Sequence, residues 1–218
     1  MDLQEAYNFL LFWTNKRQST WYTPQELDDV VDKAQLSYYK DCFIKYGTGQ
    51  RLNDALAPFK KKASFTTDSN GLLTVPNDYM DLINIEPSVG GVPAECPVLN
   101  DDELTQRKKS QVIPMSTSKP FAEEVENWDY QLYPMVQQSG ILSYFRRPPA
   151  PKYVYTVISG RVIVYNAGAS TQLLWGDDEV QSVLIRALAT VGINLSEQDL
   201  ESFAQETNKE NLLSTLKI

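Results

Sequence analysis

Two arginines beside a run of prolines form the most distinctive chemical pattern in the chain. In the stretch LSYFRRPPAPKYVYT, residues 142–156, Arg146 and Arg147 stand between two aromatic-rich runs. A guanidinium can hold a carboxylate through two parallel hydrogen bonds, so either arginine could bind an acidic group on a neighbouring subunit. Strand residues alternate between faces, which places Arg146 with Tyr144 and Arg147 on the opposite face. A solvated sheet edge, ended by prolines that discourage aggregation, is the alternative interpretation.

Catalytic chemistry has few candidate residues in this sequence. The chain has no histidine, which is the usual general base, nucleophile partner and metal ligand. Cys42 and Cys96 are the only cysteines and lie far apart, so we expect two buried thiols, with no disulfide framework and no cysteine zinc site. No nucleotide-binding or hydrolase motif occurs. We therefore expect no enzyme activity, no catalytic residue, no cofactor and no metal.

Clusters of charge allow two further interpretations. Asp28, Asp29 and Asp32, or Asp177 to Glu179, could supply oxygen ligands to a metal, but the acidic residues typical of the first turn of a helix explain them better. Lys60–Lys62 lie beside phenylalanines and could contact nucleic acid, although a solvated strand face is favoured. The formal net charge is -8, with 28 acidic and 20 basic residues. This balance argues against tight nucleic-acid binding, but it suits the wall of a path through which DNA slides.

The elements that position these residues begin with helices. The spacing of apolar residues predicts an amphipathic helix from Leu3 to about Asn15. A longer helix is predicted after a capping box of Thr23 and Glu26, with Gly47 at its end. It carries two apolar stripes, so we expect it to be covered on two sides. The stripes are Leu27, Val30, Val31, Ala34, Tyr38 and Cys42, and Leu36, Tyr39, Phe43 and Tyr46.

Strand patterns fill the middle of the chain. Short strands with hairpin turns are predicted from Leu52 to about Glu86, and a second group, interpreted as a meander, extends from Trp128 to Asn166 with a tight connection at Ser159 and Gly160. The intervening stretch 88–127 is broken by Pro and Gly. It is predicted to be an irregular loop with a short helix capped by Asn100 or Asp101.

The C-terminal part returns to helical spacing. A helix is predicted from Asp177 to Gly192, with Val180, Val183, Leu184, Ala187, Leu188 and Val191 on one face, and another opens at Ser196. The predicted fold class is α+β, with helical N- and C-terminal segments packed together and an antiparallel β-sheet or meander lobe between them. Residues 1–50 and 177–218 would form the helical core. Residues 51–176 would form the inserted β-rich lobe, including the loop 88–127.

Four stretches carry a resemblance to a known group of proteins. They are TPQELDDVVDKAQ, VPNDYMDLINIE, YQLYP followed by ILSYFRRPPAPKYVYT, and QLLWGDDEVQSVLIRALATVGINLSEQDL. Together they resemble structural proteins of short-tailed bacteriophages, especially crAss-like phages of Bacteroidetes bacteria. Those proteins are adaptors or ring proteins of the head-to-tail connector, below the portal. The resemblance covers most of the chain except the loop 88–127.

The resemblance implies a virion protein without enzyme activity. It implies a homo-oligomeric ring, expected to be dodecameric, that joins the portal to further tail or ring proteins after assembly in the host cytoplasm. DNA would pass through its channel without sequence-specific binding. A ring contact buries two different faces of each subunit, which suits the doubly striped helix. The candidate interface residues are Arg146, Arg147, Tyr144, Tyr39 and Phe43.

Other functions remain open at this point. A tail-tube or capsid accessory protein of the same phages could look similar. A second class is a carboxylate-dependent or metal-dependent enzyme such as a nuclease, and a third is an interaction module outside any virion. No membrane contact is expected, because no apolar run approaches the roughly 18 residues of a membrane helix and the N-terminus carries acids where a signal peptide has positive charge.

Overall fold

The computed structural model describes residues 1–16, 22–110, 115–158 and 162–192, and it confirms the α+β class. The helix predicted from Ser196 and the connection at Ser159 and Gly160 lie outside these residues. The helices are α1 (Leu3–Lys16), α2 (Pro24–Ile44), α3 (Gln50–Ala55), α4 (Asp101–Lys109) and α5 (Asp177–Thr190). The strands are β1 (Lys60–Thr66), β2 (Leu72–Leu73), β3 (Tyr79–Val89), β4 (Val92–Pro93), β5 (Phe121–Glu124), β6 (Tyr130–Tyr133), β7 (Ser139–Arg146), β8 (Tyr155–Ile158) and β9 (Val162–Tyr165).

The chain forms two compact units. Unit 1 comprises Met1–Pro58 and the chain from Pro148 onward, and unit 2 comprises Phe59–Arg147. The chain therefore passes from unit 2 to unit 1 at the start of the proline-rich stretch. These bounds place residues 51–58 and 148–176 with the helices, whereas the sequence analysis grouped them with the strands.

The terminal helices of unit 1 pack together, in agreement with the fold prediction. Helix α5 contacts both α1 and α2. Its predicted apolar face is buried from Val180 to Leu188. The predicted capping box at the start of α2 is also present: Thr23 Oγ1 accepts the Glu26 N–H at 3.3 Å, and Glu26 Oε2 accepts the Thr23 N–H at 2.7 Å.

Helix α2 buries members of both predicted stripes and a polar residue beside them. Gln35 is 0% exposed. Its amide nitrogen donates to the Pro149 carbonyl at 2.9 Å, and its amide oxygen accepts from Trp175 Nε1 at 3.3 Å. A buried amide that is satisfied in this way holds its neighbours in one arrangement, because leaving either group unpaired would cost free energy. The buried side chains of α2 are Leu27, Val31, Ala34, Gln35, Tyr39 and Cys42.

Helix α3 replaces the start of the strand region predicted from Leu52. Its apolar residues Leu52, Ala55 and the following Leu56 have the i, i+3, i+4 spacing of a helix face. The Asn53 side chain also accepts the N–H of Gly47 at 2.9 Å, which ties this short helix to the turn after α2. The strand prediction was wrong here because six helical residues are too few to show a clear period.

Strand β7 lies inside the larger sheet of unit 2. The strand order of this antiparallel sheet is β1-β7-β3-β4, so β7 pairs with a neighbour on each side. The sheet-edge interpretation is therefore wrong for residues 142–146, which lie in β7. Its partners β1 and β3 come from far earlier in the chain, and such long-range pairing is invisible to local sequence patterns.

The smaller sheet of unit 2 has the order β2-β6-β5. The second strand group contributes to three sheets: β6 lies in the smaller sheet, β7 lies in the larger sheet, and β8 pairs with β9. Among the described strands of this group, only β8 and β9 pair as consecutive strands of a meander. The residues of the larger core in unit 2 come from both sheets and from the loop before α4. They are Phe65, Leu73, Ile85, Cys96, Ala122, Tyr130, Leu132, Leu142 and Tyr144.

The stretch 88–127 holds more regular structure than an irregular loop. Strand β4 pairs with the end of β3, and β5 pairs with β6. Helix α4 begins as predicted, with Asn100 Oδ1 accepting the Glu103 N–H at 2.9 Å. Prolines and glycines flank these elements closely. They obscure the alternation that would otherwise predict the two short strands.

Candidate interaction surfaces

The two arginines singled out by the sequence lie at the end of β7. Arg146 is half-buried and opposite Tyr79 in the pairing with β3. Arg147 is exposed, and its backbone N–H donates to the Asp78 carbonyl at 2.8 Å. The side chain of Arg147 is thus exposed at the surface, while its backbone is held in the sheet.

Tyr144 belongs to the core of unit 2 and not to its surface. The side chain is 0% exposed. Its hydroxyl donates to Asp78 Oδ1 at 2.8 Å, and Lys61 Nζ lies 2.8 Å from Asp78 Oδ2. Desolvation raises the pKa of Asp78, but the hydrogen bonds from Lys61 and Tyr144 outweigh it and leave that pKa below its ordinary value. Tyr144 therefore orients a surface carboxylate, and it cannot meet a second subunit without leaving the core.

The two candidates on α2 differ in exposure. Tyr39 is 0% exposed, and Phe43 is half-buried. Their rings stack with centroids 6.1 Å apart and planes 6° apart. Only Phe43 keeps surface that a partner could cover. Of the five candidate residues, Arg146, Arg147 and Phe43 are accessible, and they belong to different units.

The lysines of β1 form a solvated strand edge. Lys60, Lys61 and Lys62 are all exposed, and β1 pairs only with β7 among the described strands. Lys61 is engaged by Asp78, and Lys60 Nζ lies 5.9 Å from the centroid of the Phe145 ring. Lysines along an edge strand oppose pairing with further strands. This arrangement supports the solvated-face interpretation of the lysine run.

Asp28, considered as a possible metal ligand, is a hydrogen-bond acceptor within unit 1. It accepts the Tyr153 N–H at 3.0 Å and the Tyr7 hydroxyl. Desolvation raises the pKa of Asp28 by more than these hydrogen bonds lower it. The rings of Tyr7 and Tyr153 stack with centroids 4.7 Å apart. Over the described ranges, no group of three or more Cys, Asp and Glu side chains could hold a metal ion.

Both cysteines are buried free thiols, as the sequence predicted. Burial raises the pKa of Cys96 to about 12, and burial is also the main cause of the raised pKa of Cys42. A thiol with a raised pKa holds little of the nucleophilic thiolate at neutral pH. In the part of the chain that the structure describes, no helix is long and apolar enough to span a membrane.

An exposed tryptophan at the tip of the β5–β6 hairpin was missed by the sequence analysis. Trp128 is 65% exposed. Asn127 and Trp128 have φ angles of 61° and 66°, and the Asp129 N–H donates to the Glu126 carbonyl at 3.3 Å. These are the features of a type I′ turn, which favours Asn followed by Gly. Asn127 is typical of such a turn, but Trp128 occupies the position where glycine is expected, so the sequence pattern did not predict the turn.

The β8–β9 hairpin of unit 1 also exposes apolar side chains. Val157 is 51% exposed and Val164 is 42% exposed. Val157 is opposite Ile163 and Val164 is opposite Thr156, so the two valines lie on opposite faces of the hairpin. These two strands form a sheet of their own. A two-stranded sheet is marginally stable in water unless something covers it.

A cavity of about 620 Å³ lies beside the start of β5. Its walls include the prolines Pro93, Pro97 and Pro120 together with Val92. The volume falls within the roughly 300–1,000 Å³ of cavities that hold small organic groups. Val92 is 66% exposed, so apolar surface is already accessible at the opening.

Basic side chains predominate among the charged groups of this cavity. Arg107 from α4 and Lys119 supply two positive charges, and Glu95 supplies one negative charge. The Arg107 guanidinium lies 5.5 Å from the centroid of the Phe121 ring, which fixes its position near the wall. The cavity can therefore accept an apolar group that carries acidic neighbours.

Comparison with known proteins adds no assignment. No model of a known protein family matches the chain, and no curated protein matches it.

Proposed function

We propose that this protein is a structural subunit of a bacteriophage head-to-tail connector, a ring adaptor between the portal and the tail. The main support for the proposal is that both units expose apolar side chains at defined structural positions. These positions are the two faces of the β8–β9 hairpin and the tip of the β5–β6 hairpin. A ring subunit has to offer different surfaces to its two neighbours and to the layers above and below. The resemblance of the four sequence stretches points to the same class of protein.

The charge of the chain supports this assignment. Its formal net charge is -8, and exposed carboxylates on a channel wall repel the DNA backbone instead of holding it. A connector must let DNA pass in both packaging and ejection. A protein that gripped the phosphates would oppose this passage.

The proposal is tested first by the location of the protein. Mass spectrometry of purified virions should find the protein in a fixed ratio to the portal protein, and antibody labelling should place it at the single vertex that carries the tail. A protein found only in the lysate of infected cells would contradict the proposal and support the interaction module outside the virion. Labelling along the whole tail or over the capsid surface would instead favour a tail-tube or capsid accessory protein.

A further inference from the structure

The turn at Trp128 adopts a conformation that its own sequence disfavours. A non-glycine residue with a positive φ is sterically strained, and a large aromatic residue is an unusual occupant of the position that type I′ turns reserve for glycine. The same turn leaves the indole 65% exposed. Strained backbone and exposed aromatic surface at one residue are the features of a side chain held out for a contact.

The surroundings of Trp128 are acidic. Glu124 and Glu126 flank the turn and are both exposed, and Asp129 follows it. The Asp129 carboxylate accepts the Val75 N–H at 2.9 Å, which secures the base of the turn. The tip of the hairpin is therefore an aromatic side chain within a rim of negative charge.

We propose that Trp128 of one copy inserts into the cavity beside Pro120 of a second copy. The proline and valine walls offer the apolar surface that an indole needs, and Arg107 and Lys119 offer the positive charge that complements Glu124 and Glu126. The occupant of the cavity is thus a second copy of this chain. This inference rests on the proposed function, because it names the contact by which ring subunits join.

The two halves of the contact lie at opposite ends of β5. Pro120 precedes the strand and Val125 follows it, and five residue steps of about 3.4 Å each separate them by roughly 17 Å. A copy cannot place Trp128 in its own cavity across that distance. The contact therefore joins two different copies. In the ring of the proposed function, each copy donates its tryptophan to one neighbour and receives the tryptophan of another, and such heterologous contacts close into rings or continue as filaments.

The test uses the full-length protein in sedimentation equilibrium, with one variant for each half of the contact. Trp128→Gly removes the indole and relieves the turn. Val92→Asp with Lys119→Glu alters two exposed residues of the cavity and reverses its charge. Ile44→Ser is the matched control, because Ile44 is 78% exposed and lies in the other unit.

The wild type and Ile44→Ser should self-associate alike. Each contact variant should weaken association by at least about 30-fold, the effect expected when a central tryptophan is lost. A one-to-one mixture of the two variants should form a dimer and no larger species, because one partner keeps only its cavity and the other only its tryptophan. Circular dichroism should show both variants folded.

The proposed contact would be overturned if Trp128→Gly associated as strongly as the wild type. It would also be overturned if the mixture of the two variants stayed monomeric. A wild type that remains monomeric at every concentration would also overturn it as a contact between copies. None of these outcomes touches the proposed function, which depends on the presence of the protein at the tail vertex. Conversely, association through Trp128 by a protein missing from virions would overturn the function alone.

Discussion

The positive φ of Trp128 predicts an effect of its substitution on the stability of the monomer, which is separate from any effect on assembly. Replacing Trp128 with Gly should raise the free energy of unfolding of the monomer, or leave it unchanged, because glycine adopts the positive φ of this turn without steric cost. The left-handed conformation costs a non-glycine residue about 1–2 kcal/mol, so a gain of about 1 kcal/mol is expected. Urea denaturation of dilute monomer provides the measurement. A loss of more than about 1 kcal/mol would show that the indole packs within the subunit.

The hydrogen bond between Tyr144 and Asp78 predicts a change with pH. The pKa of Asp78 lies below its ordinary value in the folded chain, so its contribution to stability is present above the unfolded pKa of about 3.9 and is lost as pH falls through the lower folded value. Tyr144→Phe removes one of the two side-chain donors to Asp78. The pKa of Asp78 should then rise, and the folded protein should lose about 1 kcal/mol at neutral pH.

The Asp78 pKa can be followed by NMR titration of its carboxyl carbon. Tyr155→Phe removes a tyrosine hydroxyl from unit 1 and should leave that pKa unchanged. An Asp78 pKa that is the same in wild type and Tyr144→Phe would contradict a role for the Tyr144 hydroxyl in holding the carboxylate in its charged form.

Single residues were predicted with mixed success. The capping residue Thr23 and the buried cysteines were predicted correctly, and Asn100 was one of the two caps predicted for α4, because each depends on local chemistry. Tyr144 and Tyr39 were chosen as interface residues and are buried, since an aromatic residue suits a core as well as an interface. Trp128 was missed because the signal of a type I′ turn is Asn followed by Gly.

At the scale of elements, the start of α2 offers a direct test of the capping box. Thr23→Ala removes the side chain that accepts the Glu26 N–H. It should lower the free energy of unfolding by about 1 kcal/mol, the usual effect of losing an N-cap. Glu26→Gln is the matched control, because glutamine can keep the reciprocal hydrogen bond and should cost less. A loss for Glu26→Gln with none for Thr23→Ala in urea denaturation would mean that the charge of Glu26, and not the cap, stabilises the helix.

The pairing of β3 with β7 depends on a glycine. A Cβ atom at Gly140 would lie 2.2 Å from the Glu86 carbonyl oxygen and 2.7 Å from Pro87 Cα. Both neighbours are backbone atoms, so Gly140→Ala should force the strands apart and cost about 1–3 kcal/mol, as overpacking does. Gly168→Ala is the control, since its nearest neighbour would be 3.8 Å away. Equal melting temperatures for the two variants would contradict the close approach.

Elements with a strong period or a capping signal were predicted from the sequence, and their long-range pairing was not. Helices α1, α2, α4 and α5 follow their apolar spacing and caps closely. Helix α3 and the strands β4 and β5 are too short for a period to show. The place of β7 between β1 and β3 depends on residues about eighty and sixty positions earlier, and contacts at that separation leave no local trace.

For the whole molecule, the arginines at the end of β7 predict an effect on assembly. If they face a neighbour in a ring, Arg146→Ala or Arg147→Ala should weaken ring formation more than it lowers the stability of the subunit. An exposed ion pair contributes little to folding, about 0–1 kcal/mol, whereas losing an arginine within an interface often costs more than 1 kcal/mol of binding. Melting temperature and sedimentation measure the two effects separately. Variants that lose stability equally as monomers and assemble normally would refute this role.

The central claim, that the chain is a connector subunit, is tested most directly by native mass spectrometry of the purified protein with the portal protein of the same phage. We predict a ring, or a monomer that becomes a ring on the portal, with a mass that corresponds to a fixed number of copies for each portal assembly. A protein that stays monomeric and leaves the mass of the portal unchanged would contradict the connector assignment.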